Sequence, residues 1–247
     1  MEDNTTFNAV ARQSLSESVY LQLKDKIVHG ELAAGSALPS ERALCEQLAV
    51  NRGAVREAIK RLQQAGLVAV RQGGNHTVLD YLDDGGLELL PSLLVNKRGR
   101  LNAATVRSIM AMRSALAPDI AAAARRGGGA LAQELQARLQ RMRAAEADLK
   151  TLQEHCFEFW RTLVGAGGNI AFRLAFNSMH KTYRQVWELL TLPMAQEFRD
   201  FANLQLIAEA IAAGDGEAAR SAGRRHVEIG RLALEQALRH SAETEEE

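Results

Sequence analysis

Cysteine is nearly absent. Cys45 and Cys156 are the two thiols in 247 residues. They are too few and too far apart for a disulfide framework or a Cys-rich metal site, and read as thiols of a reducing cytoplasm. Aromatic residues are scarce at 5%, while alanine and leucine are abundant, which favours helices packed on helices. Formal net charge is zero, so the chain as a whole has no polyelectrolyte character. Residues 12–80 hold nine Lys and Arg against seven Asp and Glu. So small a surplus permits nucleic-acid binding without arguing for it, and the case rests on where the charges sit. No apolar run approaches the ~20 residues of a membrane span. The first residues, MEDNTTFNAVARQ, lack the basic start and apolar core of a secretory signal. Phosphate-binding glycine motifs, HExxH and G-x-S-x-G are missing too, and Gly127-Gly128-Gly129 reads as a helix breaker. These absences point to a cytoplasmic protein with no membrane partner, no cofactor and no catalytic residues.

What is present is a helix with two unlike faces, Asn51 to Gln64. Val55, Ala58, Ile59 and Leu62 recur at three- and four-residue spacing and form an apolar stripe. Arg52, Arg56 and Lys60 recur every four residues and line cations along another face. Before it, Ser14 and Glu17 form a capping-box pattern opening a helix to His29, and Gly30 stops that helix. Pro39-Ser40 opens a second helix, Glu41 to Leu48, and Ala49-Val50 makes a tight turn that Asn51 closes as a helix cap. Residues 67–70 and 76–79 read as two strands about a glycine turn. The order is that of a winged helix-turn-helix, whose second helix enters the DNA major groove.

These residues resemble the GntR family of bacterial transcription regulators. The match spans about 65 residues and is carried by Leu38-Pro39-Ser40-Glu41-Arg42, Val50-Asn51-Arg52 and Val55-Arg56-Glu57-Ala58, with Tyr20, Gly30, Gly35, Gly66 and Gly73 in step. The resemblance implies that Arg42, Asn51, Arg52 and Arg56 contact DNA and that the wing tip, Gln72 and Gly73, enters the minor groove. That tip offers no cation, which predicts a weak minor-groove contribution, and Lys60 stays undecided between DNA and solvent. Alone, a charged helix face is most often just solvated; the ordered coincidence of turn, helix and wing reverses those odds.

From Asp84 onward the pattern is helical only. Leu87, Leu89, Leu90, Leu93 and Leu94 begin this module, followed by helices over Ala103–Arg125 and Ala130–Lys150. A Thr151/Glu154 capping box starts a helix ending near Gly165, Asn169 caps one through Leu190, and Pro193 and Asp215 open the last two. The fold expected is mainly α: a winged helix-turn-helix over 14–80 and an all-α bundle of six or seven helices over 81–240. A flexible N-terminus, 1–13, and an acidic tail, 241–247, flank them.

This half resembles the all-helical FCD effector domain of the FadR subgroup, through Met112-Arg113, Phe159 to Asn169, and Ala210-Ile211 with Gly214-Asp215 and His226. Many FCD domains hold a divalent metal on an Asp and three His. Here those positions carry Cys156, Trp160, Leu204 and His226, one good ligand in four, so no metal site is expected. His155 and His180 lie outside the pattern and read as surface or satisfied polar groups. Residues 84–94 and 174–190 look closer to the fatty-acid-responsive regulators than to metal-binding members. That likeness implies Arg113 and Tyr183 as effector contacts, with Arg113 equally placed for an acidic ligand or an internal ion pair. Trp160 and His226, at the former metal positions, join them as candidate effector contacts, His226 being a departure where those regulators have a glycine for ligand passage.

The expected function is therefore a homodimeric regulator on a double-stranded operator, its affinity modulated by a small effector of acyl or carboxylate type. The alternatives are a repressor whose helical domain only dimerises and, against the missing motifs, an enzyme with a DNA-binding head.

Overall fold

A computed structural model describes residues 14–71, 75–96 and 99–243, with side chains to residue 240. The chain forms two compact units, residues 1–97 and 98–247.

In the first unit, α1 (Leu15–Val28), α2 (Glu41–Leu48) and α3 (Arg52–Gln64) precede a two-stranded antiparallel sheet, β1 (Val68–Val70) and β2 (His76–Val78). Each helix start is satisfied by the side chain that the sequence points to. Ser14 accepts from the Glu17 amide, Ser40 from Ala43 and Asn51 from Ala54. Val19, Leu23 and Ile27 of α1 pack with Val55, Ala58, Ile59 and Leu62 of α3, all buried. Burial of each of the larger side chains stabilises the fold by roughly 1.5–3 kcal/mol. On the opposite edge Glu17 pairs with Arg61, whose guanidinium lies 4.1 Å from the Tyr20 ring centre, tying α1 to α3.

The connection between α1 and α2 adds to the sheet. Leu38 N–H donates to His76 O, Gly35 N–H to Val78 O and Val78 N–H to Ser36 O. The loop leading into α2 is thus fixed against the wing strand. Between α2 and α3, Ala49 takes φ 51°, the left-handed turn of the helix-turn-helix.

Short helices α4 (Tyr81–Asp84) and α5 (Leu90–Leu94) follow, with a 3-10 turn, Leu87–Leu89, between them. Leu89 is buried in the same core as α1 and α3, and Leu93 packs against it. The leucine run expected to begin the helical module is therefore partly spent on covering the first core.

The second unit contains α6 (Ala103–Ala123), α7 (Gly128–Ala144), α8 (Leu149–Ala166), α9 (Ile170–Arg184), α10 (Trp187–Thr191), α11 (Ala195–Phe198), α12 (Phe201–Ala212) and α13 (Gly216–Glu243). Helix α13 packs on both α6 and α12, and α7 packs between α12 and α8 to complete the bundle. Several local readings are corrected. The helix expected over Ala130–Lys150 runs instead from Gly128 to Ala144, and α6 gives way to a 3-10 turn at Ala124. Asp148, not Thr151, caps α8, because its carboxylate sits one turn earlier and accepts from the Lys150 and Thr151 amides. The helix capped by Asn169 ends at Arg184 rather than at Leu190. Pro193 opens no long helix; it lies between α10 and α11, and Asp200 caps α12 by accepting from Asn203 N–H. Asp215 does cap α13, accepting from Glu217 and Ala218 N–H. None of the described helices is long and apolar enough to cross a membrane.

Candidate DNA-reading face and effector cavity

The sheet-bound loop, the start of α2 and the start of α3 converge on one shallow groove that holds Glu41, Arg42, Arg52, Asn75 and His76. Arg42, Arg52 and Arg56 are all exposed. Arg56 Nε donates to Glu41 at 2.9 Å, and Arg42 lies 3.8 Å from Glu46. Such exposed pairs contribute little, about 0–1 kcal/mol, so both arginines can exchange a carboxylate for a phosphate or base edge at small cost. Arg52, at the first turn of α3, has no ion pair among the described residues. It adds its cation to the positive end of the helix dipole. Asn51 spends its side-chain oxygen on the α3 cap, 2.9 Å from Ala54 N, which leaves its amide N–H groups as donors. Lys60 is exposed on α3 and has no ion pair among the described residues. Gln72 and Gly73 fall outside the described residues.

In the helical unit, stripes from α6, α8 and α9 face one another across a cavity of about 110 Å3. Ile109, Met110, Leu116 and Ile120 of α6 face Phe157 and Trp160 of α8, and Phe176 and Met179 of α9, with Met194 and Phe198 closing one end. Phe157 stacks on Phe176 at 4.9 Å and on His180 at 3.8 Å. The few polar lining groups are Arg113, Gln153, His180, Tyr183 and Glu197.

Arg113 and Glu197 form a two-pronged ion pair. Arg113 Nη1 donates to Glu197 Oε2 at 2.7 Å and Nη2 to Oε1. Burial works against the Arg113 charge, yet Glu197 more than offsets it and holds the guanidinium above its ordinary pKa. The Gln153 carboxamide is fully engaged, donating to Trp187 O at 3.1 Å and accepting from Thr191 Oγ1. Tyr183 receives a long hydrogen bond from Gln153 and points its own hydroxyl at the Met194 sulfur, 3.2 Å away. Burial, reinforced by Glu197, pushes the Tyr183 hydroxyl up, so it stays protonated. Burial, with Arg184 and Arg161, holds His180 below the ordinary imidazole range.

Of the effector residues read from the sequence, Arg113, Trp160 and Tyr183 line the cavity. His226 does not: it is fully buried behind the wall, its Nδ1 3.0 Å from Asp200. Although burial pushes the Asp200 carboxyl up, hydrogen bonds from His226 and Asn203 hold it below its usual range. His180, read as a surface or satisfied group, instead lines the cavity. Glu197 went unread because it is a single acid in a stretch with no helical period. The usable signal was Arg113 itself, a cation inside an apolar stripe that had to find a buried partner.

The positions that the FCD resemblance gives to metal ligands carry few donors. Leu204 is fully buried and offers no donor, and Trp160 Nε1 makes no hydrogen bond among the described residues. Cys156, Glu197 and His226 do bring donor atoms within 4.8 Å of one another. The set nonetheless suits a divalent cation poorly. Both Glu197 oxygens already hold Arg113, and burial, with the Glu197 charge, pushes the Cys156 thiol up, away from the thiolate a metal requires.

Both units of the chain are similar to known proteins. Residues 15–78 match the bacterial regulatory proteins of the gntR family, and residues 108–229 match the FCD domain. The HTH-type transcriptional regulator Mce2R of Mycobacterium tuberculosis is 39% identical over 226 residues, 91% of this chain and 93% of that protein. A fatty acid metabolism regulator protein of Serratia proteamaculans is 28% identical over 66% of each chain. Among solved structures, Lar of Listeria monocytogenes shares the fold at a TM-score of 0.55 and 20% identity, covering 92% of this chain and 99% of that one.

Proposed function

We infer the function from membership: this chain belongs to the GntR family of bacterial regulatory proteins, carries an FCD domain, and is a DNA-binding transcription regulator rather than an enzyme. We propose that Arg42, Asn51, Arg52 and Arg56 read or position the operator, with the wing tip at Gln72 and Gly73 alongside. The observation that supports this reading is the gathering of Arg42 and Arg52 in one groove, with Arg56 held beside it by Glu41. An arginine forked onto guanine O6 and N7 is worth about 1–3 kcal/mol of discrimination.

The finer reading places the chain near the fatty-acid-responsive subgroup and takes the helical unit from residue 98 onward, rather than from 81, as an effector and dimerisation domain. Two such chains present two recognition helices to a two-fold operator, since one helix reads only a half-site. An effector in the α6–α8–α9 cavity then shifts the population of DNA-competent dimers.

Operator binding by the full chain tests both parts. Arg52→Ala and Arg56→Ala are each expected to lower specific affinity about 10- to 100-fold with the melting temperature unchanged. Retained affinity in both variants removes the contact assignment. Operator affinity that no ligand changes, in a protein that no ligand stabilises, leaves a repressor whose helical domain only dimerises.

A further inference from the structure

The cavity has abundant apolar wall and one cation, and that cation is already neutralised. Arg113 uses two of its five N–H groups on Glu197 and meets no other acceptor among the described residues. Its side chain remains 22% exposed, while that of Glu197 is 1% exposed. The guanidinium therefore faces the cavity with spare donors but no spare charge. The other polar groups lean the same way. The Tyr183 hydroxyl has a thioether as its acceptor, a weak one, and Trp160 Nε1 is buried in the wall without any. The carboxylate and carboxamide acceptors are spent, Glu197 on Arg113 and Gln153 Oε1 on Thr191. The His180 ring, held below the ordinary imidazole range, adds one donor and one acceptor but no charge. Among the described residues the lining has donors to spare and no free cation.

Resting on the effector reading above, we propose that this cavity takes an uncharged, largely apolar small molecule bearing an acceptor oxygen, of the ketone or ester class, and rejects the carboxylate of the same skeleton. The apolar body fills the space between α6, α8 and α9, and the oxygen accepts from Arg113 at the polar end. A carboxylate entering the same place finds a guanidinium whose charge Glu197 already cancels. It must either remain an uncompensated charge in an apolar site or evict Glu197, which is then left buried with only the His226 imidazole, 3.7 Å away, beside it. Both outcomes disfavour the acid, which sharpens the broader expectation of an acyl or carboxylate ligand toward the neutral form.

The test uses the full-length protein and two matched pairs of probes: 2-undecanone against decanoate, and 2-acetylnaphthalene against 2-naphthoate. Calorimetric affinity and melting temperature are measured for wild type, Glu197→Gln and the double variant Arg113→Gln/Glu197→Gln. In wild type at least one ketone is expected to bind ten-fold or more tighter than its acid. Glu197→Gln frees the Arg113 charge and should reverse that preference. The double variant has no charge at the site and should keep the neutral preference within about three-fold. Tighter binding of the acids by wild type overturns the inference while the effector reading stands, as does an unchanged preference in Glu197→Gln. Should Glu197→Gln not fold, a double variant that prefers acids overturns it equally. No binding of any probe to any of the three proteins overturns both the inference and the cavity as an effector site.

Discussion

Glu197, on the four-residue helix α11, grips both amino ends of the Arg113 guanidinium from the middle of α6, 84 residues away in sequence. Gly230 of α13 makes that grip possible. A Cβ there would fall on the Glu197 carboxylate, with its Cδ 2.8 Å away and the Met194 methyl at 2.9 Å. Three elements thus share one buried ion pair, and that pair fixes the charge of the cavity behind which the helices close.

Breaking the pair from one side should cost far more than removing it whole. Arg113→Ala leaves Glu197 buried with only the His226 imidazole, 3.7 Å away, as a partner, and the expected loss is about 3–5 kcal/mol in denaturant unfolding. Replacing both partners, Arg113→Met with Glu197→Met, removes the stranded charge and should recover most of that loss. Equal destabilisation by the single and double variants would mean that the pair is not the source of the effect.

Gly230→Ala tests the space rather than the charge. In an open helix the change would be favourable by about 1 kcal/mol, since alanine is the better helix former. Here Glu197 is anchored by Arg113 and cannot swing aside freely, so overpacking at about 1–3 kcal/mol should win and stability should fall. Gly129→Ala in α7 is the control, because nothing lies within 4 Å of a Cβ there. It should be neutral or stabilising. A stability gain at both positions would show that the carboxylate yields.

The sequence made the first unit legible because each boundary is set by a local interaction. Ser14, Ser40 and Asn51 cap the next few residues, and the α3 stripe packs by its own period, so tertiary context had little to override. The second unit was legible as helices but not in detail. Its decisive contacts join residues far apart, such as Arg113 with Glu197 and Asp200 with His226. The span from Gln185 to Asp200 breaks into short helices whose ends follow tertiary packing rather than sequence period. The cavity was half visible. Arg113, Trp160 and Tyr183 line it as expected, but His226 lies behind the wall and His180 takes a place at the lining. The fourth metal position, Leu204, is simply core.

Ala49 carries a strain that glycine would relieve. At φ 51° and ψ 44° it holds the left-handed turn between α2 and α3, which costs an L side chain roughly 1–2 kcal/mol. Glycine adopts that conformation freely but loses about 0.5–1 kcal/mol through its more flexible unfolded chain. Ala49→Gly is therefore expected to raise stability by about 0.5–1 kcal/mol, read as a higher denaturant midpoint with unchanged slope. The side chain is exposed and makes no core contact that the change would sacrifice. A lower midpoint would show that the turn is not strained.

Asp200 predicts the pH profile of the bundle. Its carboxylate accepts from Asn203 at the start of α12 and lies 3.0 Å from His226 Nδ1, and these partners lower its folded pKa against the opposing effect of burial. A carboxyl whose folded pKa is depressed stabilises the native state above its unfolded value, and that stability is lost as pH falls through the folded value. Asp200→Asn keeps a side chain able to cap α12 but removes the charge that His226 faces. Wild type should therefore exceed the variant by about 1–3 kcal/mol near neutral pH, the range for hydrogen bonds to charged groups. Below the ordinary carboxylate range the two stabilities should converge. A difference that stays constant from neutral pH down through that range would assign the loss to the shape or packing of the substituted amide rather than to the ionised pair. His226 would then owe its position to the wall of Cys156 and Trp160 against which it lies.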